Sequence, residues 1–446
     1  MLPLRKKIGY GLGDLGISIS YFTVGFFFIY YLTDIVGLEP YLAGLAYFIG
    51  KAWDSLNDPL IGALNDRSAS PLGRKRSYLL WCVIPFAISF IVLWMVPLDA
   101  GQTVKFLFAT AAMLLYATLY SLIAVPYMAL VPVMTDDYDE RTQIVGIRAV
   151  LSTLGTLVGG GAAMLVSRFA SELMGLRVMA LTFSILLVLT VFVAAQSVRN
   201  LEGDSKNKPA NKLLDWHLYW KLLKERNIAV LMIFKFIGAI ATGSLTASLP
   251  YFAKHILGDE GRSTIGLALY IVVSAIFIPI WDRLARRFDR RRLLLIAMFV
   301  LAAILFAVGL FVSSASVVAF YLGCGLMGTV MSAYMLIAFS FPADLVDYYE
   351  YQSGERHESI IFGLWMTVHQ LGIGFAGLLL GFFLQIFHYD GTLTIQTDSA
   401  LLAVRMALGA IPGAAMLLAV VVLQQYGITR QKYLEIRQAL AGKHPA

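Results

Sequence analysis

Apolar residues in this chain run in blocks of bilayer length, such as Tyr21–Leu32 continued upstream through Gly11–Ser20, or Ile296–Val312. A membrane-spanning helix needs roughly 20 predominantly apolar residues. The pattern predicts twelve spans, at about 8–33, 40–64, 77–97, 104–132, 142–167, 178–197, 227–253, 263–281, 293–312, 317–343, 359–387 and 400–425. An even number puts both termini on one side. With these boundaries, 26 of the 35 Lys and Arg residues fall on that side. Basic residues gather on cytoplasmic loops, so both termini are expected in the cytoplasm of a bacterial inner (plasma) membrane.

The longest polar interval divides the spans six and six. The expected organisation is a bundle over 1–198, a cytoplasmic linker over 199–226, a second bundle over 227–425 and a tail over 426–446. Within the linker, SKNKPANK reads as a flexible basic segment. LLDWHLYWKLLKER reads as an interfacial amphipathic helix, with Trp216 and Trp220 near the headgroups. An internal repeat supports the division. Asp66-Arg67 followed by Gly73-Arg74-Lys75-Arg76 recurs 216 residues later as Asp282-Arg283 followed by Asp289-Arg290-Arg291-Arg292. Pro126 and Pro342 share that offset, and Glu140-Arg141 and Glu355-Arg356 differ from it by one. Two parallel six-helix repeats imply an all-α membrane protein with the major facilitator fold, its bundles rocking about a midplane site. Asp66, Arg67, Arg74, Glu140, Arg141, Asp282 and Arg283 are then either topology signals or a cytoplasmic gate that breaks and reforms.

Composition agrees: the 446 residues are 59% hydrophobic and 14% charged, with mean hydropathy +0.74, where soluble domains carry about 25% charged residues. The net charge of +7 follows from the loop bias and implies no nucleic-acid partner. Cys82 and Cys324 lie in apolar runs and frame neither a disulfide nor a metal site. Six scattered histidines offer no convergent catalytic constellation, so no enzyme and no cofactor is expected. GYGLGDLG at 9–16 opens a span and follows no strand, which favours helix packing over phosphate binding.

The informative exception is GKAWDSLNDPL at 50–60. Lys51, Asp54, Asn57 and Asp58 share one face of span 2 by their three- and four-residue spacing. A charge at mid-bilayer costs about 2.5–3.5 kcal/mol even on lenient scales. Either Lys51 neutralises an aspartate as a structural salt bridge, or the carboxylates and the Asn57 amide, joined by Ser121 of span 4, hold a hard monovalent cation.

The stretches YYLTDIVGL, GKAWDSLNDPLIG, VPYMALVP and ADLVDYYEY…ERHES resemble the glycoside–pentoside–hexuronide:cation symporters of the major facilitator superfamily, from about Lys7 to the tail. The resemblance implies that Asp54 and Asp58, supported by Asn57 and Ser121, bind Na⁺ or H⁺ as coupling ion. It places a cytoplasmic charge network at Asp344, Asp347, Arg356 and Glu358. Sugar-binding members carry aspartates in spans 1 and 4, tryptophans in spans 4 and 10, and a lysine in span 11. The matching positions here are Ser18, Ala124, Met128, Met335 and Gln370, the last beside His369. Arg148 of span 5 remains, with Tyr120 nearby. The chain also resembles the sodium-dependent lysophosphatidylcholine symporter branch, which shares A-W-D-x-x-x-D-P-L-x-G and an arginine matching Arg148.

A Met-rich cavity with one guanidinium suits an anionic amphiphile such as a lysolipid. The expected function is therefore cation-coupled symport of a small anionic or amphiphilic solute by a functional monomer. A glycoside symporter with an altered sugar site is the alternative, and an uncoupled sensor or scramblase-like protein the alternative of another class. Arg148 either grips the anionic head or pairs with a bundle carboxylate. Lys235, nine residues into span 7, is expected to snorkel toward the cytoplasm.

Overall fold

The computed structural model describes residues 2–68, 70, 72–135, 137–199, 201, 216–355, 357–393, 395–428 and 430–443. Among them, 11 helices are long and apolar enough to cross a membrane. These give spans 1 (Leu4–Ile35), 3 (Arg76–Leu93), 4 (Gln102–Met134), 5 (Asp139–Gly160), 6 (Glu172–Ser197), 7 (Arg226–His255), 8 (Gly261–Arg287), 9 (Arg290–Phe311), 10 (Ser314–Ser353), 11 (Ile360–Ile386) and 12 (Asp398–Leu423). Span 2, the helix Pro40–Arg67, has 28 residues, or about 42 Å at 1.5 Å per residue. Its charged face keeps it out of the apolar set, although its length is ample.

Span boundaries moved where backbone chemistry intervenes. Span 5 was expected to reach 167, but the Gly159-Gly160-Gly161 run interrupts it, and a short helix, Ala162–Val166, follows. Span 10 is two helices, Val317–Ala338 and Phe341–Ser353, the second opened by Pro342 in its first turn, where a missing N–H costs nothing. Pro126 instead sits inside the span 4 helix, so the two repeat-related prolines play different local roles.

The chain clusters into two compact units. One comprises Met1–Leu214, Leu249–Thr264 and Gly377–Leu401; the other comprises Asp215–Ser248, Ile265–Ala376 and Leu402–Ala446. The first unit thus takes in the end of span 7 and the turn between spans 11 and 12, beyond the expected 1–198 bundle.

In the first unit span 1 packs on spans 5 and 6, and span 4 on spans 2 and 3. A Cβ on Gly155 or Gly159 would meet the carbonyl of Leu15 or Ile19, respectively, within 3 Å, so two glycines four positions apart set a close helix crossing. Three of the four GYGLGDLG glycines approach span 6: Gly9 faces Ser197, Gly13 faces Ala194 as well as Tyr127 of span 4, and Gly16 faces Leu187, while Gly11 faces Leu151 of span 5. In the second unit span 9 packs on spans 10 and 12, and the tail helix Arg430–Lys443 packs on Phe341–Ser353. Arg405, predicted inside span 12, donates to the carbonyls of Gly309 (3.0 Å) and Val312 (2.8 Å). Those carbonyls lie at the end of span 9, where a helix leaves its last acceptors unpaired.

The SKNKPANK linker lies outside the described residues. The helix expected after it runs Trp216–Lys224, with Trp220 65% exposed and Leu222 buried.

Candidate functional site

Span 2 turns its polar side inward. Lys51, Asp54 and Asn57 are buried, whereas Trp53, Leu56, Leu60 and Leu64 are exposed on the other side. This is the amphipathic pattern of a soluble helix turned inside out, as lipid demands. Ser121 Oγ of span 4 donates to Asp58 Oδ1 at 2.6 Å and stands 3.2 Å from Asp54 Oδ1. One hydroxyl has one proton, so it cannot satisfy both carboxylates at once. Lys51 Nζ lies 3.7 Å from Asp54 Oδ2 and 4.1 Å from the Tyr21 ring centroid. Asn57 Nδ2 is buried without a hydrogen-bond partner. The sequence-predicted set Asp54, Asn57, Asp58 and Ser121 thus occupies one place: two carboxylates, an amide and a hydroxyl, with a single ammonium beside them.

Arg148 is engaged. Its Nε donates to Asp14 Oδ2 at 2.6 Å, and its guanidinium carbon lies 4.9 Å from the Tyr127 ring and 5.7 Å from Tyr10. Both side chains of the ion pair are 13% exposed. The tyrosines hold each other too: Tyr10 Oη donates to the Tyr127 carbonyl and Tyr127 Oη to the Tyr10 carbonyl. Of the readings open for Arg148, the structure displays the ion pair. Asp14 lies within the glycine pattern at 9–16, which by itself points to helix packing, yet a carboxylate inside a span is a signal in its own right.

The remaining substrate positions are dispersed. Ser18 Oγ is 2.7 Å from Ser152 Oγ, and Tyr120 rests on Tyr21 with ring centroids 5.2 Å apart. Ala124 is buried beside them on span 4, and Met128 is 56% exposed. In the second unit Met335 is 44% exposed, and Gln370, next to His369, is buried. Lys235 does not snorkel. It is 1% exposed and surrounded by aromatic rings.

A cluster that the sequence did not reveal lies at the end of span 1 remote from the N-terminus. Span 1 ends in a π-helical turn, Tyr31–Ile35, a geometry frequent at functional sites. That turn presents Asp34, whose side chain is fully buried. Asp34 Oδ1 accepts from Lys254 Nζ at 2.9 Å and from Tyr389 Oη at 2.8 Å, and Oδ2 accepts from Thr33 at 2.8 Å. Burial and the Asp34 charge push the Tyr389 phenol up, which keeps it a donor. Its oxygen then accepts from His255 Nε2 at 2.7 Å. Lys254 also reaches Glu260 at 3.8 Å, and Glu260 accepts from Tyr30. Residues this far apart in sequence, each at a span end, look singly like ordinary loop polars.

The residues expected at a cytoplasmic gate take part in separate local contacts. Glu140 is buried, paired with Lys7 at 3.1 Å and hydrogen-bonded to Thr135. Arg141 donates to the Thr135 carbonyl at 2.8 Å. Asp282 pairs with Arg286 one turn along its own helix at 2.9 Å, and next to it comes Arg283 on the same helix. Asp347 accepts from Tyr433 of the tail helix at 3.2 Å, while Asp344 lies one turn before it on Phe341–Ser353. Arg74 precedes span 3, and Glu358 is exposed at the start of the span 11 helix. The side chains of Asp66 and Arg67, and Arg356 altogether, lie outside the described residues.

Comparison with known proteins agrees with this architecture. The sodium-dependent lysophosphatidylcholine symporter 1-A of Danio rerio is 22% identical, over 97% of this chain and 87% of that protein. The isoprimeverose transporter of Lactiplantibacillus pentosus is 25% identical, over 91% of this chain and 85% of that one. A solved proton-dependent oligopeptide transporter superposes with a TM-score of 0.70 at 13% identity, covering 97% of this chain and 99% of its own; it shares the fold. The family model described as MFS/sugar transport protein matches residues 9–430. The chain therefore belongs to that family, and its fold is that of the major facilitator superfamily.

Proposed function

We propose that this multi-pass membrane protein moves an anionic or amphiphilic organic solute across the bacterial inner membrane by alternating access, with Asp54 and Asp58 holding the coupling cation. It is a cation-coupled symporter and not an enzyme. The observation supporting the assignment of the ion site is the Asp54–Ser121–Asp58 cluster, in which one hydroxyl proton lies within reach of two carboxylates, Asp54 buried and Asp58 half-buried, beside the Lys51 ammonium. The uncompensated negative charge favours a monovalent cation ringed by oxygens. With the termini in the cytoplasm, the Asp34 cluster lies at the outer face. There it serves as the closure that opens when solute is exchanged with the outside, through charge pairs that break and reform.

A glycoside is the second reading. It is favoured by the polar line of Asp14, Ser18, Arg148 and Ser152 in the first unit and by the named cargo of the isoprimeverose relative.

Reconstituted protein tests the coupling. Uptake of glucuronides and lysolipids into proteoliposomes is expected to accelerate under an inward Na⁺ or H⁺ gradient. Uptake indifferent to both gradients would point to an uncoupled protein. The identity of the ion has its own signature. An empty pair of adjacent carboxylates shares a proton, so Na⁺ must displace it. Apparent Na⁺ affinity, read as protection against thermal unfolding, should fall with falling pH, by up to about tenfold per unit where the proton competes fully. Protection by Na⁺ absent at every pH would assign the site to protons alone.

A further inference from the structure

Lys235 lies in span 7 at a depth of about 14 Å from Arg226, counting 1.5 Å per residue. It belongs to the second unit, whereas the carboxylates of span 2 belong to the first. Its Nζ stands 4.4 Å from the ring centroid of Phe339, 5.1 Å from Trp365 and 5.8 Å from Tyr334. Among the described residues, no ion pair or hydrogen bond reaches it. Two of the three rings carry polar atoms, and both atoms are stranded: Tyr334 Oη and Trp365 Nε1 are buried without a hydrogen-bond partner. Span 7 makes room for this grouping with Gly238, where a Cβ would collide with Tyr334 Oη.

The three groups have one chemistry in common. An ammonium offers three donors and no acceptor, an indole N–H only donates, and a phenol most readily donates. Buried polar groups are normally satisfied, so each exception calls for an explanation. The rings stabilise the ammonium through their faces, but they accept none of its directed N–H bonds in the ordinary sense. What would satisfy all three at once is an oxygen-rich anion. Two methionines flank the grouping in sequence. Met335, next to Tyr334, and Met366, next to Trp365, are each 44% exposed, and thioether side chains adapt to apolar surface.

Within the reading of the chain as a transporter of anionic or amphiphilic solutes, on which this rests, we propose that Lys235, Tyr334 and Trp365 form the anchor for the solute's oxyanion head, a carboxylate or a phosphate. Arg148 does not fill that role, because Asp14 already neutralises it. Specificity for charge therefore resides in span 7 of the second unit.

Binding in detergent, without any gradient, tests the anchor. The readouts are quenching of tryptophan fluorescence, since Trp365 is in the site, and thermal shift. Two matched pairs of probes separate the sources of the oxyanion. One pair is 4-nitrophenyl glucuronide with 4-nitrophenyl glucoside; the other is lysophosphatidic acid with monoacylglycerol. In at least one pair the anionic member is expected to bind at least about tenfold more tightly than its neutral twin. The pair that shows the preference identifies the source. Lys235→Gln is expected to erase the preference, Lys235→Arg to keep it, and Tyr334→Phe to reduce it severalfold while leaving neutral binding alone. Equal binding within both pairs, or a preference undiminished in Lys235→Gln, overturns the proposal. If Lys235→Gln does not fold, an undiminished preference in Tyr334→Phe overturns it instead. Coupling is read from gradient-driven uptake and charge preference from equilibrium binding, so failure of one is distinguishable from failure of the other.

Discussion

Asp54→Asn and Asp58→Asn should each abolish cation-driven accumulation of solute while leaving the protein folded and inserted. The amide keeps the shape of the carboxylate, so packing against Ser121 survives. What changes is charge. Wild-type protein offers two carboxylates and one ammonium; either substitution leaves one of each, an internally neutral pair with little attraction for an added ion. Loss of one anionic ligand should weaken cation affinity on the order of 100-fold, about 2.8 kcal/mol at 1.4 kcal/mol per tenfold. Ser121→Ala removes a neutral ligand and should cost less, on the order of tenfold. Gradient-driven uptake by proteoliposomes, with solute exchange at equal cation concentrations as the control for folding, is the measurement. Accumulation at the wild-type rate in both aspartate variants would remove these residues from the coupling mechanism.

The second large effect concerns the Asp14–Arg148 pair. Arg148→Gln leaves a carboxylate buried between tyrosines without its counter-charge. Breaking a buried pair from one side typically costs 3–5 kcal/mol, far more than replacing both partners. The single variant should unfold at a clearly lower temperature in detergent, and Asp14→Asn/Arg148→Gln should recover most of the loss. That order of stabilities separates a structural pair from a solute anchor. An anchor would lose anionic binding in the single and double variants alike and show no rescue. Equal melting temperatures for wild type and Arg148→Gln would refute the structural role.

The grouping of Asp54, Asn57 and Asp58 was legible in the sequence because these span 2 residues obey the helical repeat. Three- and four-residue spacing places Lys51, Asp54, Asn57 and Asp58 on one face whatever surrounds them, and only Ser121 had to be brought from another span. The succession of spans was legible for the same local reason, since length and hydropathy are properties of a segment. What escaped was pairing across spans. Arg148 and Asp14 are 134 positions apart, and the choice between an ion pair and a solute contact depended on a helix crossing set by Gly155 and Gly159. The Asp34 cluster draws on spans 1 and 7 and on the turns after spans 7 and 11, so no window of sequence contains it. The position of Lys235 suggested snorkelling by depth alone, whereas Phe339, Tyr334 and Trp365, from two other spans, hold it inside.

The Lys51 ammonium beside Asp54 determines where the membrane potential can act on the cycle. Two carboxylates and one ammonium give the proposed cation site a charge of minus one when it holds neither Na⁺ nor the shared proton, and zero when it holds either. The loaded site is then blind to voltage, and the empty site is not. A full crossing of the field by one elementary charge is worth about 2.3 kcal/mol per 100 mV, and a site that changes access without crossing fully feels a fraction of that. In a cell negative inside, the force on the empty, anionic site points outward. On the proposed assignment of Asp54 and Asp58, the potential draws the empty, deprotonated cation site toward the outer face and does no work on the loaded cation site itself.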